Sequence, residues 1–209
     1  MHVVSIDKQA INEMPRVNFA GHIHVIDAIS QVKSAVTALY TSSIVGFDTE
    51  TRPCFHRGER HNIALLQLST EHDAFLFRVN KTGVPEPLKR FLEDDSVIKI
   101  GLSTTDDFHQ LSRVCDCEPT GFIELQTLVK EYQITDMSLQ KIYAILFNQK
   151  ISKGQQLSNW EATQLTDAQQ QYAAIDAWAC LQIYNHLKAG NFVPQESPYW
   201  HELVEQEDK

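Results

Sequence analysis

The stretch SIVGFDTET, residues 43–51, decides the fold class of this chain and opens the functional argument. Its β-branched and aromatic residues predict a strand at 44–51. Side chains two residues apart on a strand point to the same face, so Asp48 and Glu50 project side by side. The apolar residues before them indicate a buried strand, in which neighbouring carboxylates repel each other. A divalent cation bound between the two carboxylates would relieve this repulsion. For this stretch alone, an acidic turn exposed to solvent is an equally good interpretation.

Further strands are predicted on both sides of this stretch. Residues 62–70 and 73–79 have strand patterns separated by a short polar link, which predicts a hairpin. Shorter strands are predicted at residues 22–26 and 97–101. The order of the three central strands suggests that the sheet begins antiparallel and that the whole sheet is mixed.

Helical patterns occupy much of the remaining chain. We expect Asp27 to cap one helix and Thr104 or Thr105 to cap another. The apolar positions of the first are Ile29, Val32, Val36 and Leu39. Other helices are predicted at residues 87–94, 122–132, 138–147 and 167–189. Thr166 and Gln169 have the spacing of a capping box at the start of the last one. Strands first and helices later predict the α/β class, a mixed β-sheet flanked by helices in an α/β/α sandwich.

Length and composition predict a single globular domain. The chain has 209 residues, of which 43% are hydrophobic and 22% charged. We expect an N-terminal arm at 1–20, the domain at 21–190 and a C-terminal tail at 191–209. The N-terminus lacks the apolar core of a signal peptide, and no stretch approaches the ~20 apolar residues of a membrane span. These features predict a soluble, cytoplasmic protein without a membrane partner.

Charge and cysteine content narrow the functional classes. The formal net charge of −9 argues against a broad basic face that grips a duplex. It remains compatible with a short grip on a strand end, where bound metal ions supply positive charge. The four cysteines include no CxxC pair, which disfavours a structural zinc site. Reduced cysteines in an intracellular protein are the better interpretation.

Two more groups of acidic residues stand out. Tyr172 and Asp176 are four apart on the predicted 167–189 helix, so they share one face near its apolar side. A satisfied Tyr–Asp contact at a helix edge is the better interpretation of that pair alone. Asp106 and Asp107 follow the short strand and its glycine. An acid in the first turn of a helix often only balances the helix dipole.

The three groups together are far more specific than each alone. Their order and spacing resemble the DEDDy exonuclease family, which includes ribonuclease D and the Werner exonuclease domain. The likeness covers FDTE at 47–50, the glycine, Asp107 and Leu111 after the short strand, and the Tyr172-x3-Asp176 spacing. It implies a ribonuclease H-like fold and 3′-5′ exonuclease activity on a nucleic acid.

The resemblance also implies the site residues. The four carboxylates would be Asp48, Glu50, Asp107 and Asp176, and Tyr172 would be the tyrosine of the subfamily. A sister subfamily has a histidine five residues before the last aspartate, where this chain has Gln171. Asp106 competes with Asp107, which helical spacing aligns with Leu111.

The mechanism that this resemblance implies uses two divalent cations, Mg²⁺ or Mn²⁺, because both prefer carboxylate oxygens. We expect Asp48 to bridge the two ions, Glu50 and Asp176 to hold the first, and Asp107 to reach the second through water. Tyr172 would orient the attacking water. All four carboxylates are therefore expected to be metal ligands as well as catalytic residues.

The expected partner is the 3′ end of a nucleic acid, as a single strand or as a frayed or recessed end. Arg52, Arg57 and Arg60 follow the first acidic pair and are candidates for phosphate contacts. A solvated basic loop explains these arginines almost as well. The sequence does not decide whether the substrate is DNA or RNA, nor whether a protein partner delivers the strand. The alternatives are a catalytically weak nucleic-acid-binding module and a metal-dependent nucleotide phosphatase.

Overall fold

A six-stranded mixed sheet forms the centre of the protein, which we describe from a computed structural model covering residues 1–56 and 58–202. The strands are β1 (His2–Val4), β2 (His22–Ile26), β3 (Ile44–Thr51), β4 (Ile63–Ser69), β5 (Asp73–Phe77), β6 (Ile98–Gly101), β7 (Phe122–Glu124) and β8 (Trp200–Glu202). The helices are α1 (Lys8–Asn12), α2 (Ile29–Leu39), α3 (Val79–Thr82), α4 (Glu86–Glu93), α5 (Thr104–Leu111), α6 (Leu125–Glu131), α7 (Leu139–Phe147) and α8 (Asp167–Lys188), with a 3₁₀ turn at Pro194–Glu196.

The strand order in the sheet is β2-β5-β4-β3-β6-β7. The predicted hairpin is confirmed, since β4 pairs antiparallel with both β3 and β5. Strands β2, β6 and β7 each join by parallel pairing. The predicted mixed sheet flanked by helices is therefore confirmed, and β3 lies inside the sheet with neighbours on both sides.

Successive side chains of β3 point to opposite faces of the sheet and so contribute to different layers of the sandwich. Val45 and Phe47 are fully buried on one face, in a core cluster that includes side chains of α2 and α4. Gly46 and Asp48 point to the other face, against which α8 packs. A Cβ atom on Gly46 would lie 1.8 Å from the carbonyl oxygen of Ala177, so only glycine allows α8 to approach this closely.

The start of α8 agrees with the prediction. The Gln169 N–H donates to the Thr166 hydroxyl at 3.2 Å, and the Thr166 N–H donates to the Gln169 amide oxygen at 3.0 Å. This capping box satisfies backbone groups that the first turn leaves free. It also sets where α8 begins and therefore which face its later residues present.

Three predicted helix starts were wrong. Ala28, not Asp27, caps α2, because the Gln31 amide oxygen accepts from the Asp27 and Ala28 N–H groups. Ile29 is 65% exposed and does not belong to the apolar face of α2. Ser103 precedes α5 in place of the predicted threonines. The predicted helix at 122–132 is instead strand β7 followed by α6.

The segments before and after the predicted domain are packed against it where the structure describes them. β1 and β8 pair antiparallel as a separate two-stranded sheet. Val4, Ile6 and Phe19 are buried in the same core cluster as residues of α7 and α8. The division into arm, domain and tail stays a prediction.

Among the described helices, we find none that combines the length and the apolar character needed to cross a membrane.

Candidate active site

Two elements bring three carboxylates to one place. Asp48 and Glu50 lie on the same face of β3, and Asp176 lies in the middle of α8, which packs on that face. Each of the three offers one oxygen, and these oxygens lie within 4.8 Å of one another. The cluster depends on Gly46, since a side chain there would push α8 away from β3. Oxygens at this spacing from three side chains can surround one cation.

Asp107 lies beside this cluster and is held by Thr49. The Thr49 hydroxyl donates a hydrogen bond to the Asp107 carboxylate. Asp106 is exposed, whereas Asp107 is partly buried. The negative charge of Asp107 also contributes to the raised pKa values of Asp48 and Glu50. Of the two rivals in this motif, the structure therefore puts Asp107 next to the other carboxylates.

Glu124 fixes the helix that carries Asp107. Its carboxylate accepts hydrogen bonds from the N–H of Ser103 at 3.0 Å and the N–H of Thr104 at 2.7 Å. The Thr104 hydroxyl donates to the same carboxylate at 3.0 Å. Ser103 has a left-handed backbone conformation, with φ of 62°. The first turn of α5 is thus capped by a residue of the neighbouring strand end, which orients Asp107 toward β3.

Burial raises the pKa of every carboxyl in the group, and the charges of neighbouring carboxylates raise the pKa of Asp48 and Glu50 further. Burial is the main cause for Glu50, whose pKa rises to about 9 with help from the charges of Asp176 and Asp107. Burial likewise raises the pKa of Asp107 and of Asp176 to about 7. For Asp48, burial and then the charge of Asp176 raise the pKa well above its ordinary value. Without a cation, this group therefore holds protons at neutral pH.

One oxygen of the group lacks a protein partner. Asp176 is 4% exposed, and its buried Oδ1 atom makes no hydrogen bond to any residue in the described part of the chain. A buried polar atom without a partner is costly. A divalent cation satisfies this oxygen and removes the repulsion among the carboxylates at the same time. The residues present thus fit a divalent metal ion of the oxygen-binding class.

Tyr172 lies one helical turn before Asp176 and is 7% exposed. Its ring packs 5.9 Å from the ring of Trp160, which is fully buried. Burial, and then the charges of Asp176 and Glu50, raise the pKa of the phenol well above its ordinary value. The hydroxyl is therefore neutral at all physiological pH values and can donate one hydrogen bond.

We call the space in front of these residues the acidic cleft. Its volume is about 410 Å³. The lining comprises Asp48, Thr49, Glu50, Leu102, Ser103, Met137, Ser138, Leu139, Gln140, Gln156, Tyr172, Asp176 and Cys180. A volume of this size suits a small ligand or the end of a strand. The apolar members give the cleft a surface on which a base can lie.

Sequence reasoning missed several residues of this site. Thr49 and Glu124 position Asp107, but neither forms a motif by itself. Cys180 lies one turn after Asp176 and lines the cleft as a neutral thiol, because burial raises its pKa. Gln67 is the cross-strand partner of Asp48 and is completely buried. The i, i+4 spacing from Asp176 was the one available signal for Cys180.

Of the three predicted arginines, Arg52 and Arg60 do not line the acidic cleft. Arg52 lies 3.4 Å from the Glu161 carboxylate, which neutralises it. Arg60 lines a separate cavity with His61 and Glu161. Arg57 lies outside the described residues. Contact between these arginines and a substrate stays a prediction.

Comparison with known proteins shows to which family the chain belongs. A family model described as 3′-5′ exonuclease matches residues 23–190. The bifunctional 3′-5′ exonuclease/ATP-dependent helicase WRN of Mus musculus is 33% identical over 155 residues, which is 71% of this chain and 11% of the relative. The chain thus corresponds to a small part of that relative.

Solved structures show the same fold. The Aedes aegypti Nibbler EXO domain superposes with a TM-score of 0.72 at 21% identity, covering 94% of this chain and 97% of that domain. The Trypanosoma brucei RNase D complex with RNA U12 gives a TM-score of 0.73 at 22% identity, covering 84% of this chain and 65% of the other. At these identities the likeness concerns the fold alone, and it confirms the predicted ribonuclease H-like class.

The matched region contains β3, α5 and α8, and with them every carboxylate of the cluster. The family predicted from the three sequence motifs is confirmed. This chain belongs to the 3′-5′ exonuclease family, a family of hydrolases.

Proposed function

We propose that the protein removes nucleotides from the 3′ end of a nucleic acid strand, with Asp48, Glu50, Asp107, Tyr172 and Asp176 as its catalytic residues. The main support is the convergence of carboxylate oxygens from β3 and α8 within 4.8 Å. Family membership supports the reaction class. In this proposal residues 21–190 form the catalytic domain, and residues 1–20 and 191–209 flank it.

The proposal includes two divalent cations, Mg²⁺ or Mn²⁺. Asp48, Glu50 and Asp176 would hold one ion, and Asp107, kept in place by Thr49, would complete the set for the second. When bound, such ions lower the pKa of water and neutralise charge on the phosphate and the leaving oxygen. The unpartnered Oδ1 of Asp176 supports this assignment, since a cation is the partner that it lacks.

Tyr172 acts in this proposal as an orienting group. Its phenol stays neutral, because burial and the nearby carboxylates oppose ionisation. A neutral hydroxyl makes a poor base but a good hydrogen-bond donor and acceptor. It would hold the attacking water in line with the phosphorus–oxygen bond that breaks. The proton of that water passes to solvent or to a carboxylate, and the leaving 3′-oxygen regains a proton.

The strand end would enter the acidic cleft and rest on its apolar side chains. Leu102, Met137 and Leu139 line the cleft together with the carboxylates. Stacking and apolar contact bind a base without regard to its identity. In this proposal a single-stranded end occupies the cleft of about 410 Å³, so a paired end would fray before it is cut. The proposal covers both DNA and RNA.

A gel assay tests this function directly. Purified protein is incubated with 5′-labelled single-stranded and 3′-recessed DNA, and with matching RNA, in Mg²⁺ or Mn²⁺. We expect a ladder that shortens from the 3′ end, with no ladder in EDTA or with the Asp48→Ala variant. The substrate that is degraded faster shows whether the protein prefers DNA or RNA. Folded wild-type protein that yields no ladder on any substrate would contradict the proposal.

A further inference from the structure

A second cavity, the basic groove, lies next to the acidic cleft and has the opposite charge. Its volume is about 380 Å³. It is lined by Lys8, Arg16, Lys141, Lys150 and Lys153, together with Ile11, Asn12, Ser138, Gln140, Ile151 and Ser152. The chain has 18 basic and 27 acidic residues, yet five of the basic ones and no acidic residue line this groove. Such a concentration of positive charge in an acidic protein indicates an anionic ligand.

Backbone pairing fixes the walls of the basic groove. The Val17 N–H donates to the Lys150 carbonyl at 3.1 Å, and the Lys150 N–H donates to the Pro15 carbonyl at 2.9 Å. Ile151 is 4% exposed and anchors this segment in the main core cluster. The N-terminal segment and the segment after α7 are thereby joined, so their basic side chains are presented by a defined backbone.

Three of the five cations are free to bind a ligand. Lys141 pairs with Asp136 at 2.6 Å, and the Lys150 ammonium donates to the Asn12 carbonyl. Lys8, Arg16 and Lys153 are exposed and make no ion pair within residues 1–56 and 58–202. Cations without a protein partner can neutralise phosphates and release their counterions.

The basic groove and the acidic cleft are adjacent. Ser138 and Gln140, at the start of α7, line both cavities. Ser138 makes no side-chain cap to this helix, so its hydroxyl is available to a ligand. The positive end of the α7 dipole adds to the attraction for an anion at the junction. A strand whose 3′ end lies in the acidic cleft can therefore extend toward the basic groove.

We propose that the basic groove binds backbone phosphates of the substrate strand upstream of its 3′ end. This inference rests on the proposed function, which places the 3′ end in the acidic cleft. Lys8 and Arg16 precede the region that the family model matches, residues 23–190, so this part of the groove lies outside that match. The contact is to the sugar–phosphate backbone and carries no base preference.

A charge-matched pair of triple variants tests the basic groove. The test variant combines Lys8→Gln, Arg16→Gln and Lys153→Gln. The control combines Lys33→Gln, Lys130→Gln and Lys188→Gln, three exposed lysines outside both cavities. Both variants lose three positive charges, so any difference between them reflects position and not net charge. Thermal unfolding confirms that both fold.

Fluorescence anisotropy with a labelled 12-nucleotide strand, in EDTA and at varied salt, gives the affinity without cleavage. We expect the Kd of the test variant to rise about tenfold over the control, with a salt slope smaller by about two. A labelled dinucleotide, which is too short to reach both cavities, should show no difference. Equal affinity of test and control for the 12-mer, or no binding of the 12-mer by wild-type protein at low salt, would overturn the proposal.

The result is separable from the proposed function. Wild-type protein that binds the 12-mer through the basic groove but never degrades it with metal would contradict the exonuclease proposal and leave the groove supported. If wild-type protein degrades the strand while both triple variants behave alike, the exonuclease proposal is supported and the groove proposal is contradicted. With metal, the test variant should show a raised KM for the 12-mer and an unchanged kcat.

Discussion

The acidic cleft and the basic groove share Ser138 and Gln140 but differ in the sign and in the burial of their charged side chains. The cleft gathers buried carboxylates whose pKa values are raised, whereas the groove presents exposed cations. Buried like charges destabilise the empty protein and need a cation, so they suit chemistry on a phosphate. Exposed cations cost the fold little and suit binding. In our two proposals, catalysis and strand affinity therefore reside in separate, neighbouring surfaces.

The largest expected effect comes from the centre of the acidic cleft. Asp48→Asn removes a carboxylate that the family resemblance implies as the bridge between the two cations, so kcat should fall at least about a thousandfold. The same change should raise the Tm of the metal-free protein, because it removes repulsion with Asp176, Asp107 and Glu50. Calorimetry in EDTA and a cleavage assay check both. An active Asp48→Asn protein would remove the cleft from the mechanism.

The next prediction separates two adjacent acids. Asp107→Asn should lower kcat by about a hundredfold, because Asp107 lies beside the cluster and accepts from Thr49. Asp106→Asn, one residue away and exposed, should change kcat less than about twofold. Both variants lose one negative charge in the same helical turn. Equal losses would show that the charge of α5, not the position of Asp107, matters.

Tyr172→Phe should have a smaller effect, which isolates the hydroxyl. The ring remains packed near Trp160, so folding is retained. Losing the orienting hydrogen bond should cut kcat by about tenfold to a hundredfold and leave KM nearly unchanged. Steady-state kinetics on a single strand distinguishes the two constants. An unchanged kcat would take Tyr172 out of the catalytic set.

The smallest expected effect is a pH dependence of stability in the empty cleft. Glu50 titrates at about 9 and Asp107 and Asp176 at about 7 in the fold, against about 4 when unfolded. The folded state therefore binds more protons than the unfolded state between these values, so stability falls as pH rises from about 5 to 8. Melting curves in EDTA should show this decline, and saturating Mg²⁺ should flatten it. A flat profile in EDTA would mean that the pKa values of these carboxyls are not raised in the fold.

The two regions also differ in how far the sequence predicts them. The acidic cleft follows from local patterns: alternation on β3 placed Asp48 beside Glu50, and helical spacing placed Tyr172 beside Asp176. Long-range contacts were out of reach. Glu124 caps α5 from the end of another element, strand β7. This strand has only three residues and is too short to show an alternating pattern of apolar and polar residues. The basic groove forms because the segment before β2 pairs with Lys150. The sequence of neither segment predicts this pairing.

One measurement tests the separation of catalysis from affinity most directly: the single-turnover cleavage rate of a 5′-labelled 12-nucleotide strand at saturating protein and Mg²⁺. We predict a 3′-to-5′ ladder from wild-type protein, the same rate from the triple variant of Lys8, Arg16 and Lys153, and no ladder from Asp48→Asn. Cleavage by Asp48→Asn at the wild-type rate, or no cleavage by folded wild-type protein, would contradict the account.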